Sequence, residues 1–153
     1  RGLGDVYKRQ EPGVDMSFID DWNAMYEKVH DVKETLQLYP IEGNTEVVKL
    51  GMPLTQAVSQ PAGMFSAPAL FGLADLSATW LAMQQVPKGV FPLAVASNIN
   101  VVSNVNSGDA ISTSRIVRAG RTIIVTDTEI HSEETGKLLA KVGCTYSLPP
   151  QKR

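Results

Sequence analysis

Apolar residues follow three regimes along the chain. In the first, Phe18, Trp22, Met25, Tyr26, Val29 and Val32 recur every three or four positions, the spacing that places side chains on one helix face. It predicts an amphipathic helix from Ser17 to about Val32, opened by "SFID", where Ser17 can cap and Asp20 stands three residues on. The second regime is continuous: residues 68–83, "PALFGLADLSATWLAM", are almost wholly apolar or small. The third alternates. "LAVASNINVV" sets Leu93, Val95, Ile99 and Val101 against Ala94, Ala96, Asn98 and Asn100. "KLLAKVGCTYSLPP" sets Leu138, Ala140, Val142, Cys144 and Tyr146 against Lys141, Gly143, Thr145 and Ser147. Such period-two runs predict strands.

Two further strands are expected in "TLQLYPIEGNTEVVKLGM", around the turn Glu42-Gly43-Asn44, and two more in "DAISTSRIVRAG" and "RTIIVTDTEIH". The order is helix, two strands, one long apolar helix, then four strands. Short connections favour antiparallel pairing. An antiparallel sheet wrapped around the apolar helix would bury it on most sides, which accounts for its lack of a charged face. The segment is too short for a membrane span, which needs about 20 continuous apolar residues, and it carries Asp75. The class is α+β, one domain over residues 16–153.

The remaining features exclude more than they assign. With 153 residues, 43% of them hydrophobic, the chain can bury a core. A net charge of −2 offers no basic surface for nucleic acid or a polybasic membrane contact. One cysteine forms no internal disulfide, and only two histidines accompany it, which argues against a Cys/His metal site; a reducing cytoplasm is the expected compartment. No nucleotide-binding glycine pattern or serine-nucleophile elbow occurs. Residues 1–15, "RGLGDVYKRQEPGVD", show neither period and read as a non-native or disordered leader.

"QPAGMFSAPALFGLADLSATWLAM", "SNINVV" and "IVRAGRTIIVTDTEIHSEETGKLLAKVGCTYSL" together resemble the hotdog-fold acyl-CoA thioesterases of the phenylacetyl-CoA thioesterase type. The resemblance spans residues 36–148 in order and spacing. It implies a hotdog fold with five to six strands around one long helix, a homodimer or dimer of dimers, and an acyl-CoA substrate. Coenzyme A would then be part of the substrate, with no retained cofactor; an acyl carrier protein is the alternative carrier. Asp75 falls on the family's catalytic carboxylate, Gln60 on its substrate- or water-holding Asn, and Gly63 on the following Gly. The family's His-Gly-Gly turn, whose backbone N–H polarises the thioester carbonyl, falls on Ser66-Ala67-Pro68. That is a departure: Ala67 retains an N–H and Pro68 has none. A polar residue of some relatives falls on Ala94.

The chemistry of these residue types stands beside the resemblance. A helix N-terminus carries free N–H groups and partial positive charge, which suits a developing oxyanion. Asp75 lies eight residues beyond Ala67, about 12 Å along the axis. One helix cannot bring both to one carbonyl, whereas two helices related by a two-fold axis can. The expected stripes are Ala69, Leu73, Leu76, Trp80 and Met83 toward the sheet, and Pro68, Gly72, Asp75, Ala78, Thr79 and Ala82 toward a second chain. Asp75 then serves as general base or nucleophile, or as a structural carboxylate at a seam. Ser66 is an N-cap or a catalytic hydroxyl; Gln60 orients substrate or satisfies its own loop. Asn98 and Asn100 can line the cavity or pair across an interface. Arg118, Gly120 and Arg121 form a turn suited to phosphates or simply to solvent. A protein that binds acyl-CoA without hydrolysing it is the alternative function. A dehydratase would need a His near the long helix, and none is there.

Overall fold

The computed structural model describes residues 16–150. Helix α1 (Met16–Lys28) and the short α2 (Val32–Leu36) precede strands β1 (Tyr39–Gly43) and β2 (Val47–Met52). A 3-10 turn (Gln56–Val58) leads to the long helix α3 (Ala67–Met83). Strands β3 (Leu93–Val101), β4 (Ala110–Ala119), β5 (Ile123–Ser132) and β6 (Leu138–Ser147) complete the chain. All six strands form one antiparallel sheet in the order β1-β2-β4-β5-β6-β3, and α3 packs against its inner face from β2 to β6. This is the hotdog arrangement. Residues 1–15, expected as a leader, lie outside the described residues.

The expected single N-terminal helix is two. Helix α1 starts at Met16, and its buried Phe18 and Trp22 pack on Trp80 near the end of α3, at ring-centroid distances of 5.5 and 5.3 Å. Asp31 then caps a new helix by accepting from the N–H of Lys33 at 2.8 Å. Val29 and Val32 kept the helical spacing but are exposed. Leu36 of α2 lies over Gly72, where a Cβ would stand 2.7 Å from Leu36 Cδ1.

Helix α3 buries Leu70, Leu73, Ala74, Ser77, Ala78, Leu81 and Ala82. Ala78 and Ala82, expected on the outer stripe, are therefore core residues, and Leu76 and Met83, expected on the sheet side, are half-exposed. The packing explains why β4 reads "ISTS" rather than as an apolar run. Ser114 Oγ donates to Ser77 Oγ at 2.8 Å and meets Thr128 Oγ1 at 2.6 Å, while Ser77 Oγ donates to the Val48 carbonyl at 3.2 Å. The buried hydroxyls satisfy one another, as buried polar groups must.

Strand β3 forms an edge. It pairs with β6 on one side and with nothing on the other among the described residues. Leu93, Val95 and Val101 are 66%, 56% and 44% exposed. A nine-residue strand with exposed apolar side chains and an open ladder edge is a template for pairing. No helix among the described residues is long and apolar enough to cross a membrane.

Candidate active site at the central helix

The chain enters α3 through a tight loop. The N–H of Ser66 donates to the Val58 carbonyl and that of Gln60 to the Met64 carbonyl, each at 2.8 Å, with Gly63 in the left-handed region at φ 83°. The Gln60 side chain is turned into this loop, its Oε1 accepting from the N–H of Ala62 at 2.5 Å and of Met64 at 3.5 Å. Asn104, from the loop after β3, clasps the residue before the cap. Its Oδ1 accepts from the Phe65 N–H at 3.2 Å, and its Nδ2 donates to the Phe65 carbonyl at 2.8 Å. This two-point contact sets the height at which the helix starts.

Ser66 is the N-cap, accepting from the N–H of Ala69 at 3.3 Å. The N–H of Leu70 donates to the Ser66 carbonyl and Pro68 has no N–H. Of the orphan donors every helix start leaves, the N–H of Ala67, an exposed residue, has no acceptor among the described residues.

Asp75 lies two turns further on. Phe71, Asp75 and Thr79, at i, i+4 and i+8, form the half-exposed ridge of α3, and the Tyr146 hydroxyl of β6, the neighbour of edge strand β3, reaches it from below. That hydroxyl donates to the Asp75 main-chain carbonyl at 3.3 Å and meets Thr79 Oγ1 at 3.0 Å. The Asp75 carboxylate itself has no hydrogen-bond or ion-pair partner among the described residues. Partial burial therefore raises its pKa above the usual 3.8. Tyr146 is held neutral far above its ordinary range, mainly by burial.

The other expected site residues are spread more widely. A bulge between Ala94 and Ala96 switches the faces of β3. Ala94, opposite Tyr146, faces α3, as do Ser97 and Ile99. Asn98 and Asn100, opposite Gly143 and Lys141, are exposed on the outer face of the sheet, so they do not share a face with Ala94 as the alternation suggested. Arg118 and Arg121 are exposed at the β4–β5 hairpin, with the Arg118 guanidinium within 4.0 Å of the Cβ position of Gly120. Neither guanidinium meets a carboxylate among the described residues. Cys144 is buried, and burial raises its thiol pKa. His30 and His131 are paired with Glu34 and Glu129 away from α3. Asn104 and Tyr146 were not expected at the site from the sequence, although Tyr146 alternated inward; Thr79 was expected only as part of the small-residue stripe it shares with Asp75.

The chain belongs to the thioesterase superfamily, whose family model matches residues 62–139, from the entry loop of α3 into β6. Among solved structures it is similar to a thioesterase from Haemophilus influenzae, with 20% identity, a TM-score of 0.78, and coverage of 86% of this chain and 90% of that one. A thioesterase variant from Pseudomonas aeruginosa gives 20% identity and a TM-score of 0.78, covering 94% and 98%. A hypothetical thioesterase from Streptococcus pneumoniae, solved with coenzyme A, gives 19% and 0.66, covering 76% and 91%. At these identities the likeness is one of fold. No protein of curated function matches the sequence significantly.

Proposed function

We propose that the protein hydrolyses acyl-CoA thioesters to free acid and coenzyme A in a site shared by two copies of the chain. The observation that carries this reading is the Asp75 carboxylate: half-buried, without a partner among the described residues, and set on a half-exposed ridge of α3. An uncompensated carboxylate disfavours the folded state, so its retention calls for a use. Ala67 N–H lies about 12 Å away on the same helix. Pairing of two β3 edges would set two copies of α3 side by side, with Asp75 of one facing Ala67 of the other. Membership in the thioesterase superfamily and the coenzyme A bound by the Streptococcus pneumoniae relative support the substrate class.

In this mechanism Ala67 N–H and the positive end of its helix polarise the thioester carbonyl. Asp75 takes a proton from the water that attacks the carbonyl carbon, or attacks that carbon itself to form a mixed anhydride. A water then hydrolyses the anhydride to free acid and the restored carboxylate, this water supplying the proton that the thiolate carries away. The C–S bond breaks and the thiolate of coenzyme A leaves with a proton. Coenzyme A enters and departs with each turnover, and no cofactor stays behind. Gln60 and Gly63 shape the entry loop, and Arg118, Gly120 and Arg121 form a phosphate-binding turn. Asn98 and Asn100 lie on the outer face, suited to contacts beyond the dimer. The reduced cytoplasm, where acyl-CoA and free thiols coexist, is the proposed compartment. The test is free-thiol release from a panel of acyl-CoAs by the wild-type chain and Asp75→Asn. Turnover by the wild type that the variant loses, with the oligomer intact, is the expected result. Intact binding without turnover by either would replace the enzyme with a binding protein.

A further inference from the structure

Helix α3 has an apolar groove at its far end. Between α1, the last turn of α3 and the segment after it lies a cavity of about 360 Å³. Ala24, Met25, Trp80, Met83 and Val90 line it, and Asp21 and Lys88, paired at 3.1 Å, stand at its rim. Its size and mainly apolar walls match those of small-ligand sites. The indole N–H of Trp80 already donates to the Tyr26 hydroxyl at 3.3 Å, so this wall presents ring surface rather than a free donor.

The groove lies two turns of α3 beyond Asp75, with Met83 in its lining. Asp75, Thr79 and Met83 follow one another at four-residue spacing, all half-exposed, and so trace one line along the helix into the cavity. We propose that the groove receives the distal end of a long aliphatic acyl chain whose thioester lies at Asp75. The inference rests on the thioesterase reading and adds its substrate class. The eight residues from Asp75 to Met83 span about 12 Å. An extended hydrocarbon advances roughly 1.3 Å per carbon, from C–C bonds of about 1.5 Å, so the groove begins at about the ninth or tenth carbon. Shorter or aryl groups end before Met83. Each methylene beyond that point, moved from water to the groove, should tighten binding roughly fourfold.

Tryptophan emission reports directly on the groove, because Trp80 forms its wall. The wild-type chain is titrated with hexanoate, decanoate and dodecanoate below their micellar concentrations, alongside Ala24→Phe and Gln84→Phe, which fill the groove from opposite sides. Dodecanoate should shift the emission and bind at least tenfold more tightly than hexanoate, and both variants should abolish that difference. Equal affinity across the lengths, or a length dependence that survives in both variants, overturns the proposal. Thiol release from the matching acyl-CoAs is followed in parallel. Length-dependent binding without any turnover keeps the groove as an acyl site and removes the thioesterase reading. Turnover indifferent to both chain length and groove filling keeps the enzyme and removes the groove.

Discussion

Replacing Asp75 by Asn should abolish turnover and at the same time stabilise the fold. The change keeps the shape of the side chain and removes its charge. In the structure that charge is desolvated on one side and has no pairing partner among the described residues, so its removal relieves a penalty. Because the group is half-exposed, solvent screens much of it, and the gain is on the order of 1 kcal/mol or less at neutral pH. For a folded body of this size that is roughly 3 °C in Tm. The sign of the pH dependence follows from the raised pKa. Near and above pH 3.8 the folded state holds a proton that the unfolded chain has released. The stability this contributes is fully present below the unfolded value and is lost as pH rises through the folded value. The variant lacks that titration, so its advantage should be absent at pH 3 and grow toward neutrality. Catalysis should move the other way: kcat/KM of the wild type rises with pH through the same raised pKa, and the variant falls by a factor on the order of 10² or more. Thermal melts from pH 3 to 8 and thiol release over the same range provide the measurements. Retained turnover, or a Tm at pH 7 that falls, would refute the reasoning and make Asp75 a structural anchor.

Three other changes test the surroundings. Asn104→Ala removes both bonds to Phe65 and leaves a buried N–H and carbonyl unpaired; a loss of about 1–3 kcal/mol, read by chemical denaturation, should accompany a lower kcat. Tyr146→Phe removes the hydroxyl that meets Thr79 and the Asp75 carbonyl; about 1 kcal/mol of stability and part of kcat should go, with KM little changed. Val95→Lys places a charge on the exposed edge strand. Light scattering should then find monomers, and thiol release should disappear with the dimer.

Where one period governs, the sequence was enough to read the structure. The apolar run at residues 68–83 and the four alternating strands appear where their patterns put them, because a single long helix against a sheet leaves such runs no alternative burial. Failures occur where two local signals compete. Val29 and Val32 continued the helical spacing, but Asp31 restarts the helix and turns both valines outward. The β3 bulge has no sequence signature, and it alone decides that Ala94 faces the helix while Asn98 and Asn100 face away. At the site, Asp75 was legible because a lone carboxylate in an apolar helix is conspicuous. Asn104 was not, since its clasp on Phe65 depends on a loop 39 residues away that no periodicity describes.

The departure at Ser66-Ala67-Pro68 gains meaning from the hydrogen bonds around it. Proline is pre-organised for the first helical turn, so the helix starts cleanly, but it supplies no donor. Ser66 takes the Ala69 N–H as its cap, and the Leu70 N–H is already in the helical ladder. A carbonyl brought to this end therefore meets one N–H, that of Ala67. A single well-placed donor contributes about 2.7–4 kcal/mol to a transition state with oxyanion character, whereas a second would add to it only if equally well aimed. With one donor, alignment matters more than number, and the structure is consistent with that demand. Asn104 fixes the residue before the cap by two bonds, Gln60 braces the loop behind it, and the Val58–Ser66 bond closes that loop. The entry to α3 offers one donor, that of Ala67, and a loop that holds it in place.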